Sequence, residues 1–175
     1  MGELMMRLTK KYALKLILLL VFSTNLSPAS ATELTYKTSF LSISYPNRYI
    51  RSKDKMLYLT EVHSESSGNA ASFVLEKGLG QSFRFRSISQ KNHYLAYQGE
   101  KIILRLAENN KVFQREVSFK LIPGLYNSGA FSFESVAKPG YFIRQLESKL
   151  FLHALEENET FRKDVTFRIN NGFAY

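Results

Sequence analysis

Apolar and polar residues alternate along most of this chain, and one alternating pattern occurs three times. A phenylalanine lies two positions before a serine and three before a β-branched residue at residues 40–44, 85–89 and 133–137. The serines in these stretches, Ser42, Ser87 and Ser135, are 45 and 48 residues apart. A second anchor, a small polar residue followed by phenylalanine, closes each unit at Phe73, Phe119 and Phe167. Two independent anchors with one period indicate internal repeats.

Within each repeat the period is two, which is typical of strands with one buried face. A turn segment rich in Pro, Asn or Gly follows the first strand, and a second strand follows the turn. The third strand has a Leu-x-Leu pair that we expect to face the core. These pairs are Leu57 and Leu59, Leu104 and Leu106, and Leu150 and Leu152. Residues 146–159 resemble a helix, but their equivalents indicate strand and then loop, so no helix is predicted there.

This organisation predicts an all-β fold, a β-trefoil of three internal repeats with four short strands each. The repeats span about residues 36–79, 80–125 and 126–172. A propeller is disfavoured because three blades fall short of the usual four to eight.

The first 31 residues have a different character. Four basic residues precede an apolar run at residues 16–22, and Ala29-Ser30-Ala31 fits a small-x-small cleavage pattern. This predicts a secretory signal peptide cleaved near Ala31, and hence export to a periplasm or to the outside of the cell. The run is well short of the roughly 20 apolar residues that span a bilayer, so no stable membrane insertion is expected. Residues 32–175 then form one domain.

Charge and composition limit the kinds of partner and cofactor that we expect. After the leader, twenty basic and fourteen acidic residues leave a net charge of +6, spread along the chain. Nucleic-acid binding usually needs a basic patch or stripe, so it is not expected here. We also predict that the protein is a monomer. The chain has no cysteine, and its three histidines occupy different repeat positions without metal-ligand spacing. We therefore expect no metal and no cofactor.

The third repeat carries the most specific motifs. It reads Phe-Glu-Ser-Val, then Lys-Pro-Gly-Tyr-Phe-Ile-Arg, then Phe-Arg-Lys-Asp-Val-Thr-Phe at residues 133–136, 138–144 and 161–167. These motifs resemble the arabinose-binding domain of B-type α-L-arabinofuranosidases, carbohydrate-binding module family 42, which is a β-trefoil. Residues 42–51 and 123–125 match as well, so the resemblance covers about residues 39–169. It implies a noncatalytic, lectin-like module for terminal arabinofuranosyl side chains of arabinoxylan or arabinan.

In that family, the ligand contacts are a histidine after the second-strand arginine and an aspartate two residues before the closing Thr-Phe. The third repeat keeps the aspartate as Asp164 but has Gln145 at the histidine position. The second repeat has Glu116 and Tyr97 there, and the first has Ala70 and Ser52 and is expected not to bind. A furanose site is therefore expected in the third repeat, around Asp164, Gln145 and Tyr141, and less so in the second. The candidate ligand-binding residues are Asp164, Gln145, Tyr141, Arg144, Glu116 and Tyr97.

Each candidate has a chemical rationale and a structural alternative. Carboxylate oxygens accept hydrogen bonds from sugar hydroxyls, and a tyrosine ring can stack on a sugar. Asp164 could equally bond local backbone amides at a turn. Arg51 and Arg144 share one repeat position, where pairing with a loop carboxylate is favoured over contact with sugar.

Other function classes are less favoured. Glycoside hydrolysis needs two carboxyl groups at a defined separation, and nothing in the sequence pairs two of them. Gly-x-Ser-x-Gly is also absent. We therefore predict no enzyme and no catalytic residue; α-L-arabinofuranosidase activity or a role in L-arabinose metabolism would follow only by family association. The alternative is a secreted protein–protein interaction trefoil, such as an adhesin, effector or inhibitor, because fold does not decide function.

Overall fold

A computed structural model describes residues 36–173, in which one order of elements occurs three times. The first run contains β1 (Lys37–Ser42), β2 (Tyr49–Lys53), β3 (Met56–Thr60), helix α1 (Glu65–Ala70) and β4 (Phe73–Lys77). The second contains β5 (Phe83–Ser87), β6 (His93–Gln98), β7 (Lys101–Leu106), α2 (Lys111–Glu116) and β8 (Phe119–Pro123). The third contains β9 (Phe131–Ser135), β10 (Tyr141–Leu146), β11 (Lys149–Ala154), α3 (Glu159–Asp164) and β12 (Phe167–Asn171). The predicted signal peptide lies outside the described residues.

The first and fourth strands of each run form a closed antiparallel barrel. Its order is β1–β4–β5–β8–β9–β12, and β12 pairs with β1 to complete the ring. The register repeats, because Phe73 lies opposite Ser87, Phe119 opposite Ser135, and Phe167 opposite Ser42. The two sequence anchors therefore lie opposite each other in three equivalent strand pairs of the barrel.

The second and third strands of each run form three hairpins that join one another. Their third strands pair as β3–β7, β7–β11 and β11–β3. One backbone bond per junction has the same geometry: Leu59, Leu104 and Leu152 each donate their N–H to the turn of a neighbouring hairpin at 2.7–2.8 Å. The prediction of an all-β trefoil is thus confirmed. Within residues 36–173, no helix is long and apolar enough to cross a membrane.

The core is built from the repeated phenylalanines. Phe40, Phe85 and Phe133 form a triangle with ring centroids 5.0–5.3 Å apart, and each pair meets edge to face. The closing phenylalanines pack on this triangle at 5.6–6.2 Å; they are Phe73, Phe119 and Phe167. All six rings are fully buried. Aromatic quadrupoles favour the edge-to-face contacts of the central triangle over face-to-face stacking.

The repeated serines have an equally regular role. Ser42, Ser87 and Ser135 are buried at the end of the first strand of each run. Each hydroxyl accepts a hydrogen bond at 3.2 Å from the backbone N–H three residues later. The serine therefore shapes the turn that leads into the second strand, which explains why it recurs beside the core phenylalanine.

One core assignment was wrong. In the second repeat the buried pair on the third strand is Ile102 and Leu104, and Leu106 is 56% exposed. The three residues share a face, but Leu104 lies opposite the buried Leu95, whereas Leu106 ends the strand opposite His93. Alternation predicts the face, but the register against the partner strand decides which part of that face reaches the core.

The three short helices were not predicted from the sequence. Each has six residues and lies between the third and fourth strands. The window 146–159 is indeed strand and loop, and α3 begins only at its last residue. So short a helix shows no apolar period, and the available signal is the N-cap residue: Ser64, Asn110 or Asn158.

Candidate functional site

The acid position of each repeat lies at the last residue of its short helix. The N-cap of α2 and of α3 is an asparagine, and its side chain accepts a hydrogen bond at 2.7 Å from the N–H of a buried phenylalanine three residues later. That phenylalanine anchors the helix against the second strand, and the helix then ends at Glu116 or Asp164. The local sequence thereby places one carboxylate at the end of the helix in each of these two repeats.

In the third repeat the carboxylate joins a polar cluster. Asp164 is 6% exposed and accepts hydrogen bonds on Oδ1 from the Gln145 amide and, at 2.7 Å, from the Ser44 hydroxyl. Ser44 belongs to the first repeat, so the cluster lies at the seam between the third and first repeats. Sequence reasoning missed Ser44, because only the pairing of β1 with β12 brings it beside the third repeat.

Arg144 completes this cluster from the same strand as Gln145. Its Nε lies 3.6 Å from Asp164 Oδ2, and its Nη1 donates to Glu156 at 2.7 Å. The guanidinium also lies over the Phe161 ring, 5.0 Å from the centroid. Arg144 thus binds a loop carboxylate and a helix-end carboxylate at once.

Two buried atoms of the cluster have no hydrogen-bond partner among the described residues, Gln145 Oε1 and Arg144 Nε. One is an acceptor and the other a donor. A hydroxyl group can donate to the first and accept from the second, so this combination suits an alcohol or a water molecule. Because both atoms are buried, a ligand would reach them only after a side-chain movement.

The second repeat presents a more open version of the site. Glu116 accepts from Arg105, which also donates to Glu108 and lies 5.4 Å from the Phe113 ring centroid. Burial opposes the positive charge, but the bonds to both glutamates outweigh it and raise the pKa of Arg105. Burial and then the charge of Glu116 raise the pKa of the Tyr97 phenol. Glu116 and Tyr97 are thus electrostatic neighbours.

Tyr141 lies apart from Asp164 and Gln145, although the sequence predicts one site around the three residues. Tyr141 begins β10, four residues before Gln145, a separation of about 13 Å along a strand. The Lys138 ammonium lies over both Tyr141 and Tyr97, at 5.5 and 5.1 Å from the ring centroids. Tyr141 therefore belongs to the seam between the second and third repeats, with Tyr97 and Glu116.

The first repeat lacks both groups at the equivalent place. Ala70 occupies the acid position, and its carbonyl accepts from the Ser52 hydroxyl at 3.3 Å. Ser52 also lies 3.2 Å from the Ser89 hydroxyl of the second repeat. This seam is closed by short side chains and has no carboxylate. Across residues 36–173, no group of three or more His, Cys, Asp or Glu residues has a geometry that could hold a metal ion.

Comparisons with known proteins agree with this architecture. The model of the alpha-L-arabinofuranosidase B (ABFB) domain family matches residues 83–175, just over half of the chain. No curated protein matches the sequence.

Three solved structures illustrate the likeness. An arabinofuranosidase complexed with arabinofuranosyl-alpha-1,2-xylobiose has a TM-score of 0.73 and 24% identity, over 86% of this chain and 33% of that one. A GH54 α-L-arabinofuranosidase soaked with a cyclic sulfate inhibitor has a TM-score of 0.73 and 23% identity, over 85% and 33%. The Haemophilus ducreyi cytolethal distending toxin has a TM-score of 0.64 and 18% identity, over 90% and 96%. This chain thus spans a third of the length of the arabinofuranosidases, and at these identities the likeness shows the fold.

Proposed function

Because the chain belongs to the alpha-L-arabinofuranosidase B (ABFB) domain family, we propose that it is an exported, noncatalytic module that binds carbohydrate. The proposed ligand is an oligosaccharide or polysaccharide with arabinofuranosyl groups. A similar arabinofuranosidase, complexed with arabinofuranosyl-alpha-1,2-xylobiose, supports this ligand class. The mass of the protein purified from its source tests export, since cleavage near Ala31 would leave residues 32–175.

One observation supports a specific site: two tyrosines and one lysine at the seam between the second and third repeats. Tyr141 is 38% exposed and Tyr97 is partly exposed, and both rings contact Lys138. A sugar ring can pack its apolar face on an exposed tyrosine. Lys138 can donate hydrogen bonds to the sugar hydroxyls, and Glu116 can accept hydrogen bonds from them. Accessible aromatic and polar groups meet here, which is the usual composition of a small-ligand site.

The Asp164 cluster contributes differently. Its four side chains, those of Asp164, Gln145, Ser44 and Arg144, satisfy most of one another's hydrogen bonds and are largely buried, so they offer a ligand little surface. We expect this seam to bind weakly or only after rearrangement. With one exposed seam, affinity should lie between micromolar and millimolar, equivalent to about −8 to −4 kcal/mol.

The test is a titration of the purified protein with a neutral arabinofuranosyl xylo-oligosaccharide, followed by amide chemical shifts. We expect shifts around Tyr97 and Tyr141, and roughly tenfold weaker binding for Tyr141→Ala. Asp164→Asn should change affinity less. The matched control is Tyr126→Ala, since Tyr126 is also exposed and lies under a lysine, at 4.9 Å from Lys163.

Each other outcome has a definite meaning. A larger loss for Asp164→Asn than for Tyr141→Ala would move the site to the seam between the third and first repeats. Equal losses for Tyr141→Ala and Tyr126→Ala would exclude the proposed seam. No binding of any glycan would overturn the carbohydrate proposal and favour a trefoil that binds protein.

A further inference from the structure

A cavity of about 400 Å³ lies beside the β2–β3 hairpin, and its lining shares no residue with the groups described around Asp164 and Tyr141. Its polar lining consists of Arg51, Lys53, Asp54, Tyr58, Thr60 and Ser148. Five of these residues come from the first repeat, and Ser148 comes from a hairpin turn of the third. The volume is at the lower end of the range for small-molecule sites and can hold one or two rings of an oligosaccharide.

Arg51 is the residue that distinguishes this cavity. It follows Ile50, which lies opposite Leu59, just as Arg144 follows Ile143, which lies opposite Leu152. The two arginines therefore occupy one structural position. Arg144 has two carboxylate partners and a ring beneath it, whereas the Arg51 guanidinium has no hydrogen bond or ion pair with any described residue.

The N-caps of the helices show what the first repeat has lost. When the first and third repeats are aligned on their N-caps, Ser64 and Asn158, the first repeat has Val62 where the third has Glu156. In the same alignment it has Ser67 where the third has Phe161. The helix-end acid becomes Ala70. The first repeat thus lacks all three groups that contact Arg144, although it has the equivalent arginine, Arg51. A half-buried guanidinium without a carboxylate partner can bind an anion supplied by a ligand.

Other lining groups add to this chemistry. Thr60 Oγ1 has no hydrogen-bond partner among the described residues, but it is buried and a ligand would reach it only after a side-chain movement. The Ser148 hydroxyl accepts from Arg48 at 2.9 Å and can still donate its own proton. The partly buried Tyr58 ring offers an apolar surface, and Lys53 adds a second positive charge. The cavity therefore combines a cationic end with hydroxyl and aromatic groups.

We propose that this cavity binds a sugar acid, with its carboxylate on Arg51 and its ring against Tyr58. The planar guanidinium matches a carboxylate through two parallel hydrogen bonds. Asp54, in the same lining, disfavours a doubly charged phosphate but can accept sugar hydroxyls. The proposal rests on the proposed carbohydrate binding for the ligand being a sugar, but it places a separate, charge-selective site in the repeat without a furanose site.

The experiment is a titration of the purified protein with trigalacturonate, followed by amide chemical shifts, beside its fully methyl-esterified, uncharged counterpart. We expect trigalacturonate to shift amides of β2 and β3 and to bind at least about tenfold more tightly than the ester. Arg51→Ala should weaken binding at least about tenfold. Arg168→Ala is the matched control, because Arg168 is exposed on β12 and its loss changes the net charge equally.

Three results would overturn the proposal: equal losses for Arg51→Ala and Arg168→Ala, equal affinity for acid and ester, or no binding of trigalacturonate. Tighter binding of a sulfated trisaccharide would overturn the carboxylate assignment. If Arg51→Ala fails to fold, the comparison of acid with ester on the unaltered protein still decides. The neutral arabinofuranosyl xylo-oligosaccharide should shift amides around Tyr97 and Tyr141 but not those of β2 and β3, so failure of the neutral-sugar site and failure of this one are distinguishable.

Discussion

The second and third repeats position a guanidinium in the same surroundings by different routes. In both, an arginine lies over the helix phenylalanine, at 5.4 Å for Arg105 and 5.0 Å for Arg144. In both it bonds a glutamate two residues before the N-cap and approaches the acid at the helix end. Yet Arg105 lies on the third strand and Arg144 on the second.

The positions are exchanged between the two repeats. Where the third repeat has Arg144 the second has Ala96, and where the second has Arg105 the third has His153. Neighbouring strands of a hairpin bring these side chains to one face, so either can supply the cation. The two repeats therefore have a positive charge at the same place in space, although neither position has an arginine in both repeats.

The two arrangements also differ in how deeply their charged side chains are buried. The side chains of Arg144 and Asp164 are 12% and 8% exposed, whereas those of Arg105 and Glu116 are 27% and 21% exposed. Glu116 is longer by one methylene and is accompanied by Tyr97 rather than by a glutamine. The second repeat therefore keeps its acid accessible, and the third encloses it.

The strongest test concerns what the two repeats share. Phe85→Ala and Phe133→Ala each remove one ring of the central triangle, which leaves a cavity and costs about 4 kcal/mol. We expect the two losses in free energy of unfolding, measured by urea titration, to agree within about 1 kcal/mol. Costs differing by much more would contradict equivalent inner layers. Phe151→Ala, a ring only partly buried, provides the control and should cost far less.

A smaller effect tests the exchange itself. Arg105→Ala should lower the free energy of unfolding by about 1.5 kcal/mol, because Glu116 and Glu108 lose charged hydrogen bonds. Adding Ala96→Arg to that variant moves the cation to the position used by the third repeat and should restore at least half of the loss. Arg115→Ala, which removes an exposed charge from α2, should be nearly neutral. No recovery in the double variant would show that the two routes are not interchangeable.

The smallest effect is on Tyr97. Since burial and Glu116 raise its pKa, Tyr97 should ionise at higher pH than exposed tyrosines, whose pKa is about 10. Its stabilising contribution is then complete below about pH 10 and is lost as the pH rises through the folded-state value. Glu116→Gln should lower the pKa of Tyr97, as measured by NMR titration of its ring signals. Tyr94, whose pKa is raised by burial and Glu76, provides the internal reference and should not change.

The sequence predicted the inner layer better than the outer one. Phenylalanine and serine recur because the centre of the barrel is equivalent in all repeats, so the anchors predicted the fold correctly. Leu106 was misassigned because register is set by cross-strand pairing. Ser44 and Tyr141 could not be placed by examining one repeat at a time, because each site forms at a seam between repeats that only the closed barrel brings together.

The pairing of β1 with β12 also makes the ends of the described chain neighbours. The Gly172 N–H donates to the Lys37 carbonyl at 2.8 Å, and Thr38 lies opposite Asn171. A short linker could therefore join the two ends, and a new opening could be made in an exposed repeat junction such as that around Gly80. Circular permutation would leave every strand pair intact, so the order in which the repeats are synthesised is not a requirement of the architecture.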